Sequence, residues 1–99
     1  MHKPYFVDQI REKLNPIFRK NNIRRATLFG SYVKNLATEH SDVDLLVDSG
    51  LRGLQFFGLL EDVCTSLECD VDLIDIEDIV PDSNIDREIR ATGVVIYEQ

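Results

Sequence analysis

The chain has 99 residues, of which 43% are hydrophobic and 29% are charged, and its formal net charge is −7. This length allows one domain with one hydrophobic core, so we expect residues 1–99 to form a single domain. The acidity argues against nucleic-acid binding, which depends on Lys and Arg neutralising phosphates. No apolar run approaches the roughly 20 residues of a membrane span, and the N-terminus lacks an apolar signal segment. We therefore expect a cytoplasmic protein.

The first half of the chain predicts a helix followed by two strands. Apolar residues recur at three- and four-residue spacing from Phe6 to Phe18, which is typical of an amphipathic helix. Pro16 should kink this helix or end its regular part. Short apolar runs predict strands at 26–29 and 43–47, with a short helix at 32–36 and a polar loop between them. The second of these strands contains Asp44.

The second half predicts two more helices and two more strands. The sequence predicts strands at residues 70–76 and 94–97. Ser83 and Asp86 have the spacing of an N-cap residue and its capping-box partner, which predicts the start of a helix. In that helix Ile85 and Ile89 should face the core. The alternation of helices and strands predicts a small α/β domain with one sheet. The helix between the two aspartate-bearing strands should bury a stripe made of Leu54, Phe57, Leu60, Val63, Cys64 and Leu67.

The most informative motif joins a Gly-Ser turn to a pair of aspartates. Gly30-Ser31 follows an apolar strand, and Asp42-Val43-Asp44 comes after a spacer of ten residues. Residues two apart in a strand point to the same face, so both carboxylates should project together. Two adjacent carboxylates repel each other unless one of them is protonated or a cation lies between them. Hard oxygen ligands suit Mg²⁺, which shares its coordination sphere with substrate phosphates, and a Gly-Ser turn at a helix start can hold those phosphates.

Cysteines and histidines add no second site. Cys64 and Cys69 are the only cysteines, and they form no CxxC pair, so we interpret them as reduced thiols. His40 lies close to Asp42 and is interpreted as a solvated loop residue, with contact to a nucleotide as the alternative.

The stretch from Leu28-Phe29-Gly30-Ser31 to Asp42-Val43-Asp44-Leu45 resembles the minimal nucleotidyltransferase (MNT) domain of the DNA polymerase beta superfamily. That superfamily has a third acidic residue on a later strand, and Asp72 in Val71-Asp72-Leu73-Ile74 matches it, with Asp70 and Asp75 as alternatives. The resemblance implies a polymerase beta-like nucleotidyltransferase fold, in which the sheet is mixed and the site lies on its open face.

The resemblance also implies roles for individual residues. Asp42, Asp44 and Asp72 would act as catalytic residues and as ligands of two Mg²⁺ ions, or of one ion plus a nucleotide-bound one. Gly30 and Ser31 would hold the triphosphate of ATP. Lys34 would reach the same phosphates, or it is a solvated surface lysine.

Proteins with a stand-alone MNT domain often act as antitoxins that adenylylate a tyrosine of a HEPN-domain toxin. The resemblance therefore implies transfer of AMP from ATP to a small helical partner protein. One alternative is a non-catalytic antitoxin or scaffold subunit that neutralises its partner by binding. Another is transfer to a small molecule such as an aminoglycoside, which the lack of an acceptor domain disfavours.

Overall fold

A computed structural model describes residues 5–38 and 40–99 of the chain, and in these ranges helices and strands alternate. No helix of the described part is long and apolar enough to cross a membrane. Two 3-10 helices, Gly30–Tyr32 and Ile76–Asp78, follow the first and third strands. The α-helices are α1 (Val7–Lys20), α2 (Leu54–Leu67) and α3 (Asn84–Thr92). The strands are β1 (Arg25–Phe29), β2 (Val43–Asp48), β3 (Val71–Asp75) and β4 (Val94–Glu98).

The four strands form one mixed sheet in the order β3–β2–β1–β4. β1 pairs antiparallel with β2 and with β4, whereas β2 and β3 run parallel. A parallel pair needs a crossover connection, and α2 provides it. The predicted small α/β fold with a mixed sheet is confirmed.

Alternating burial along β2 separates the two faces of the sheet. Val43, Leu45 and Val47 are fully buried in one hydrophobic cluster with residues of α1 and α2. Asp44 and Leu46 are only partly buried and point to the opposite face. α1 and α2 thus cover one face with the core, and Asp44 lies on the other face. The helix residues buried in the cluster are Ile10, Leu14, Phe18, Leu59, Val63 and Leu67.

The structure corrects two details in the first half of the chain. Pro16 does not end α1, which continues to Lys20, because burial of its apolar face offsets the hydrogen bond that proline cannot make. The alternative, a kink at Pro16, stays a prediction. The short helix predicted at 32–36 is wrong. The helical turn is instead Gly30–Tyr32, and Asn35, with φ of +60°, interrupts any continuation.

Two predicted helix faces are also partly wrong. Leu54 and Phe57 of α2 are 88% and 65% exposed, because the start of this helix has apolar residues on more than one side and only one side can meet the core. In α3 Ile85 is exposed and Asp86 is buried. In the predicted capping box, the Asp86 carboxylate would accept the backbone N–H of Ser83. It accepts instead the backbone N–H of the preceding residue, Asp82, at 2.8 Å. Ser83 does cap the helix, since its hydroxyl accepts the Asp86 N–H at 3.2 Å.

Candidate functional site

The turn after β1 depends on Gly30. Its φ of +79° lies in the left-handed region, which a residue with a Cβ adopts only with strain. A Cβ at this position would also overlap Oδ2 of Asp44 and lie 3.1 Å from its Cγ. The Gly30 carbonyl accepts the N–H groups of Val33 and Lys34, each at 3.2 Å, which closes the turn. Glycine therefore allows the backbone to lie directly against the Asp44 carboxylate.

Replacing Gly30 with alanine should strain the turn and displace Asp44. We expect a loss of about 1–3 kcal/mol in the free energy of unfolding from the forced backbone conformation, with loss of any activity that needs the Asp44 carboxylate in place. Denaturant unfolding measures the first effect. Gly58→Ala is the matched control, because nothing lies within 4 Å of a Cβ there and alanine within α2 should stabilise by about 0.5–1 kcal/mol. Equal stability of the two variants would contradict this role of Gly30.

Two strands bring the predicted carboxylates together beside this turn. Asp44 is the second residue of β2, and Asp42 directly precedes that strand. Asp72 is the second residue of β3 and pairs with Asp44 in the parallel register. On its other side Asp44 pairs with Phe29, the residue before Gly30. Because paired strands lie about 4.8 Å apart, the side chains of Asp44 and Asp72 are neighbours on the open face.

The charges of this cluster act on Asp44. Its pKa is raised from 3.8 to about 6, first by burial and then by the negative charges of Asp72, Asp42 and Glu88. Burial disfavours the ionised carboxylate, and each neighbouring carboxylate disfavours it further. The three predicted acidic residues therefore share one electrostatic site, and Glu88 of α3 joins them.

Lys34 is held at the edge of this site by Glu88. Its Nζ atom lies 2.8 Å from Oε1 of Glu88, and both side chains are partly exposed. The ion pair links the segment after the Gly30 turn to α3. Sequence reasoning missed Glu88, because one glutamate in a polar helix carries no signal until the fold places it beside Asp44.

The two alternatives for the third acidic residue differ in their surroundings. Asp75 is buried, and its carboxylate accepts the backbone N–H groups of Ser49 at 3.3 Å and Glu77 at 3.1 Å, as well as the Ser49 hydroxyl. It therefore ties the turn after β2 to the end of β3. Asp70 is exposed and lies just before β3, where its carbonyl accepts the Val43 N–H at 3.1 Å. Only Asp72 pairs with Asp44 in the register.

The donor set at this site is suited in its chemistry to a hard cation. Asp42, Asp44 and Asp72 offer carboxylate oxygens, the ligands that Mg²⁺ prefers. The pKa of Asp44 is raised by burial and then by repulsion from its neighbours, and a cation would relieve that repulsion. Within residues 5–38 and 40–99, no three His, Cys, Asp or Glu side chains are grouped so that they could hold a metal ion. The fit of these residues to Mg²⁺ thus rests on their chemistry and their shared face.

A mixed sheet that presents paired aspartates beside a Gly-Ser turn defines a protein of the nucleotidyltransferase class. The chain belongs to the family described as Polymerase beta, Nucleotidyltransferase, whose model matches residues 12–99. It is 43% identical over 44 residues to a Methanocaldococcus jannaschii protein named "Putative protein adenylyltransferase MJ0435". That match covers 44% of this chain and 47% of the archaeal protein, so it spans about half the length of the relative.

Solved structures of toxin-antitoxin complexes share the fold. A chain of a toxin-antitoxin complex with AMP-PNP superimposes with a TM-score of 0.76 at 22% identity, covering 90% of this chain and 73% of the other. A chain from the complex of a tri-AMPylated Shewanella oneidensis HEPN toxin with its MNT antitoxin gives a TM-score of 0.71 at 20% identity. That second match covers 95% of this chain and 74% of the other. At these identities the likeness shows the fold.

Proposed function

We propose that this chain is a Mg²⁺-dependent nucleotidyltransferase that moves AMP from ATP to a tyrosine hydroxyl of a HEPN-type toxin, and so acts as its antitoxin. The observation that carries the proposal is the pairing of Asp44 with Asp72 directly beside the Gly30 turn. Membership of the nucleotidyltransferase family supports transfer of a nucleotidyl group. The names of the archaeal relative and of the Shewanella oneidensis complex support a protein acceptor and a HEPN-type partner.

Each residue of the site has a part in this proposal. Asp42, Asp44 and Asp72 would hold Mg²⁺, which when bound neutralises triphosphate charge and favours departure of pyrophosphate. The Gly30 backbone and Ser31 would hold the β- and γ-phosphates, with Lys34 beside them. Asp72 would accept the proton of the tyrosine hydroxyl. The tyrosine oxygen then bonds to the α-phosphorus, the bond from that phosphorus to the bridging oxygen breaks, and pyrophosphate leaves.

Intact-mass spectrometry of the partner tests this function directly. The probe is a small helical HEPN-type protein, the partner that the proposal assigns to this chain, mixed with the chain, ATP and Mg²⁺. We expect its mass to rise by one or more AMP residues, and we expect the Asp72→Asn variant to transfer none. Omission of ATP is the control. An unchanged mass with the wild-type chain would contradict the proposal.

The same mixture distinguishes an antitoxin that transfers AMP to the toxin from one that neutralises the toxin by binding alone. A double variant, Asp42→Ala with Asp44→Ala, removes two exposed or half-buried carboxylates from the open face and leaves the core intact. We expect it to bind the partner without modifying it and to leave the toxin active. Full neutralisation of the toxin by this double variant would instead identify a binding antitoxin, whose affinity comes from the buried interface.

A further inference from the structure

An apolar surface lies beside the Gly30–Ser31 turn, at the start of α1. A pocket of about 240 Å³ is formed there between the N-terminal end of α1 and the segment that follows the turn. Its lining includes Tyr5, Phe6, Tyr32 and Val33. We call this pocket, together with the adjacent Leu36, the Phe6 surface.

Two large apolar side chains of the Phe6 surface are exposed to solvent. Phe6 is 77% exposed and Leu36 is 69% exposed. Both backbones are fixed, since the Phe6 N–H donates to Gln9 Oε1 at 2.7 Å and the Leu36 N–H donates to the Ser31 carbonyl at 2.9 Å. The exposure is therefore built into the folded chain, and grouped apolar exposure next to a pocket is typical of a binding surface.

Tyr32, which lines the pocket, carries an unsatisfied polar group. This residue is only 6% exposed, and in the part of the chain that the structure describes its hydroxyl has no hydrogen-bond partner. Buried hydroxyls nearly always have one. The Tyr32 side chain, which lines the pocket, therefore lacks the hydrogen bond that would normally fix its buried end.

The charges around the Phe6 surface favour a basic partner. Burial raises the pKa of Tyr32, and the negative charge of Asp42 adds to the effect. Burial also raises the pKa of Tyr5, where Glu68 adds its charge. A cation is present as well, because Lys13 Nζ lies 5.4 Å from the centre of the Tyr5 ring. The surface thus has an apolar centre with acidic residues at its border, and the chain as a whole has a net charge of −7.

We propose that the acceptor protein docks on the Phe6 surface by seating an apolar side chain in the pocket, with Lys or Arg residues beside the acidic border. This inference rests on the proposed function, since an acceptor hydroxyl has to reach the site next to Gly30. Tyr32 follows Ser31 in the chain, so a protein seated here lies at the edge of that site. The complementary chemistry is an apolar anchor within a basic segment.

A second exposed apolar group offers a matched control at the other end of the sheet. Leu54 and Phe57 lie in the first turn of α2, which follows the C-terminal end of β2. The Phe6 surface lies beside the Gly30 turn, at the N-terminal end of that strand. Loss of an exposed phenylalanine can therefore be compared near the site and far from it.

Titration of the HEPN-type protein against three variants tests the docking surface. Phe6→Ser removes the aromatic ring while placing a favoured residue at the N-cap of α1, and Leu36→Ser retains its backbone hydrogen bond. We expect each to raise the Kd by about 10-fold, the loss typical of a central contact residue. Phe57→Ser should stay within about twofold of the wild type, as residues outside an interface do. In all three variants the thermal shift caused by ATP with Mg²⁺ should equal that of the wild type.

The outcomes separate this inference from the proposed function. Equal Kd values for Phe6→Ser and Phe57→Ser would overturn the docking surface, whether or not AMP is transferred. Failure of the wild-type chain to bind the HEPN-type protein would overturn it too. Binding that Phe6→Ser weakens, without any AMP transfer by the wild type, would support the docking surface and overturn the proposed enzymatic function.

Discussion

Replacing Asp44 with asparagine should abolish nucleotidyl transfer and at the same time stabilise the nucleotide-free protein at neutral pH. The pKa of Asp44 is raised to about 6 by burial and by the charges of Asp72, Asp42 and Glu88. The folded state therefore binds the Asp44 proton more tightly than the unfolded state does. The stability that this proton contributes is fully present below about pH 4 and is lost as the pH rises through about 6. Above pH 6 the ionised carboxylate repels its neighbours, whereas asparagine does not.

The expected size of the effect is moderate for stability and large for activity. After a discount for solvent screening at a half-exposed group, asparagine should add roughly 1 kcal/mol at pH 8. This corresponds to about 4–8 °C in Tm for a chain of this size. Transfer should fall by at least about 100-fold, since losses of 10–100-fold follow even when groups behind a metal ligand are removed.

Thermal melts of wild type and variant in EDTA, at pH 4 and pH 8, measure the stability effect. The two proteins should have the same Tm at pH 4, and the variant should have the higher Tm at pH 8. Asp42→Asn is the control, because Asp42 is exposed on the same face and should change Tm little while also losing transfer. A lower Tm for Asp44→Asn at pH 8, or wild-type transfer by this variant, would contradict the prediction.

The sequence predicts the strand faces well because β2 alternates cleanly. Val43, Leu45 and Val47 alternate with Asp44 and Leu46, so one face had to meet the core and the aspartates had to lie on the other. In β3, Asp72 and Asp75 are three residues apart and therefore point to opposite faces, and only Asp75 is buried. The pairing of Asp44 with Asp72 could not be predicted this way, because the parallel register depends on how α2 crosses between the two strands.

Helix faces were harder to predict, for a physical reason visible in α2. Five of its first seven residues are apolar, so a periodic stripe can be drawn along more than one side. Packing selects Leu59, Val63 and Leu67 and leaves Leu54 and Phe57 in water. In α3 the burial of Asp86 depends on hydrogen bonding to the Asp82 N–H and on an ion pair with Arg90 at 3.1 Å. No hydrophobic pattern signals such an arrangement.

ATP together with Mg²⁺ should raise the thermal midpoint of the wild-type chain far more than either does alone. The open face gathers four carboxylates, and the pKa of Asp44 is raised by burial and by the charges of Asp72, Asp42 and Glu88. A triphosphate without a cation would add negative charge to this face and should bind poorly. With both present at about 100 times the dissociation constant, binding to the folded state contributes about 2.7 kcal/mol.

For a chain of this size such a gain corresponds to about 10–20 °C in Tm. Scanning fluorimetry with ATP and EDTA, with Mg²⁺ alone and with both together measures the three conditions. The Asp44→Asn variant is the matched control: its own midpoint at pH 8 should be higher than that of the wild type, yet ATP with Mg²⁺ should not raise it further. Equal shifts in wild type and variant would place the nucleotide away from Asp44. The absence of any shift in the wild type would argue against a nucleotide site on this face, since a ligand that binds the folded state has to stabilise it.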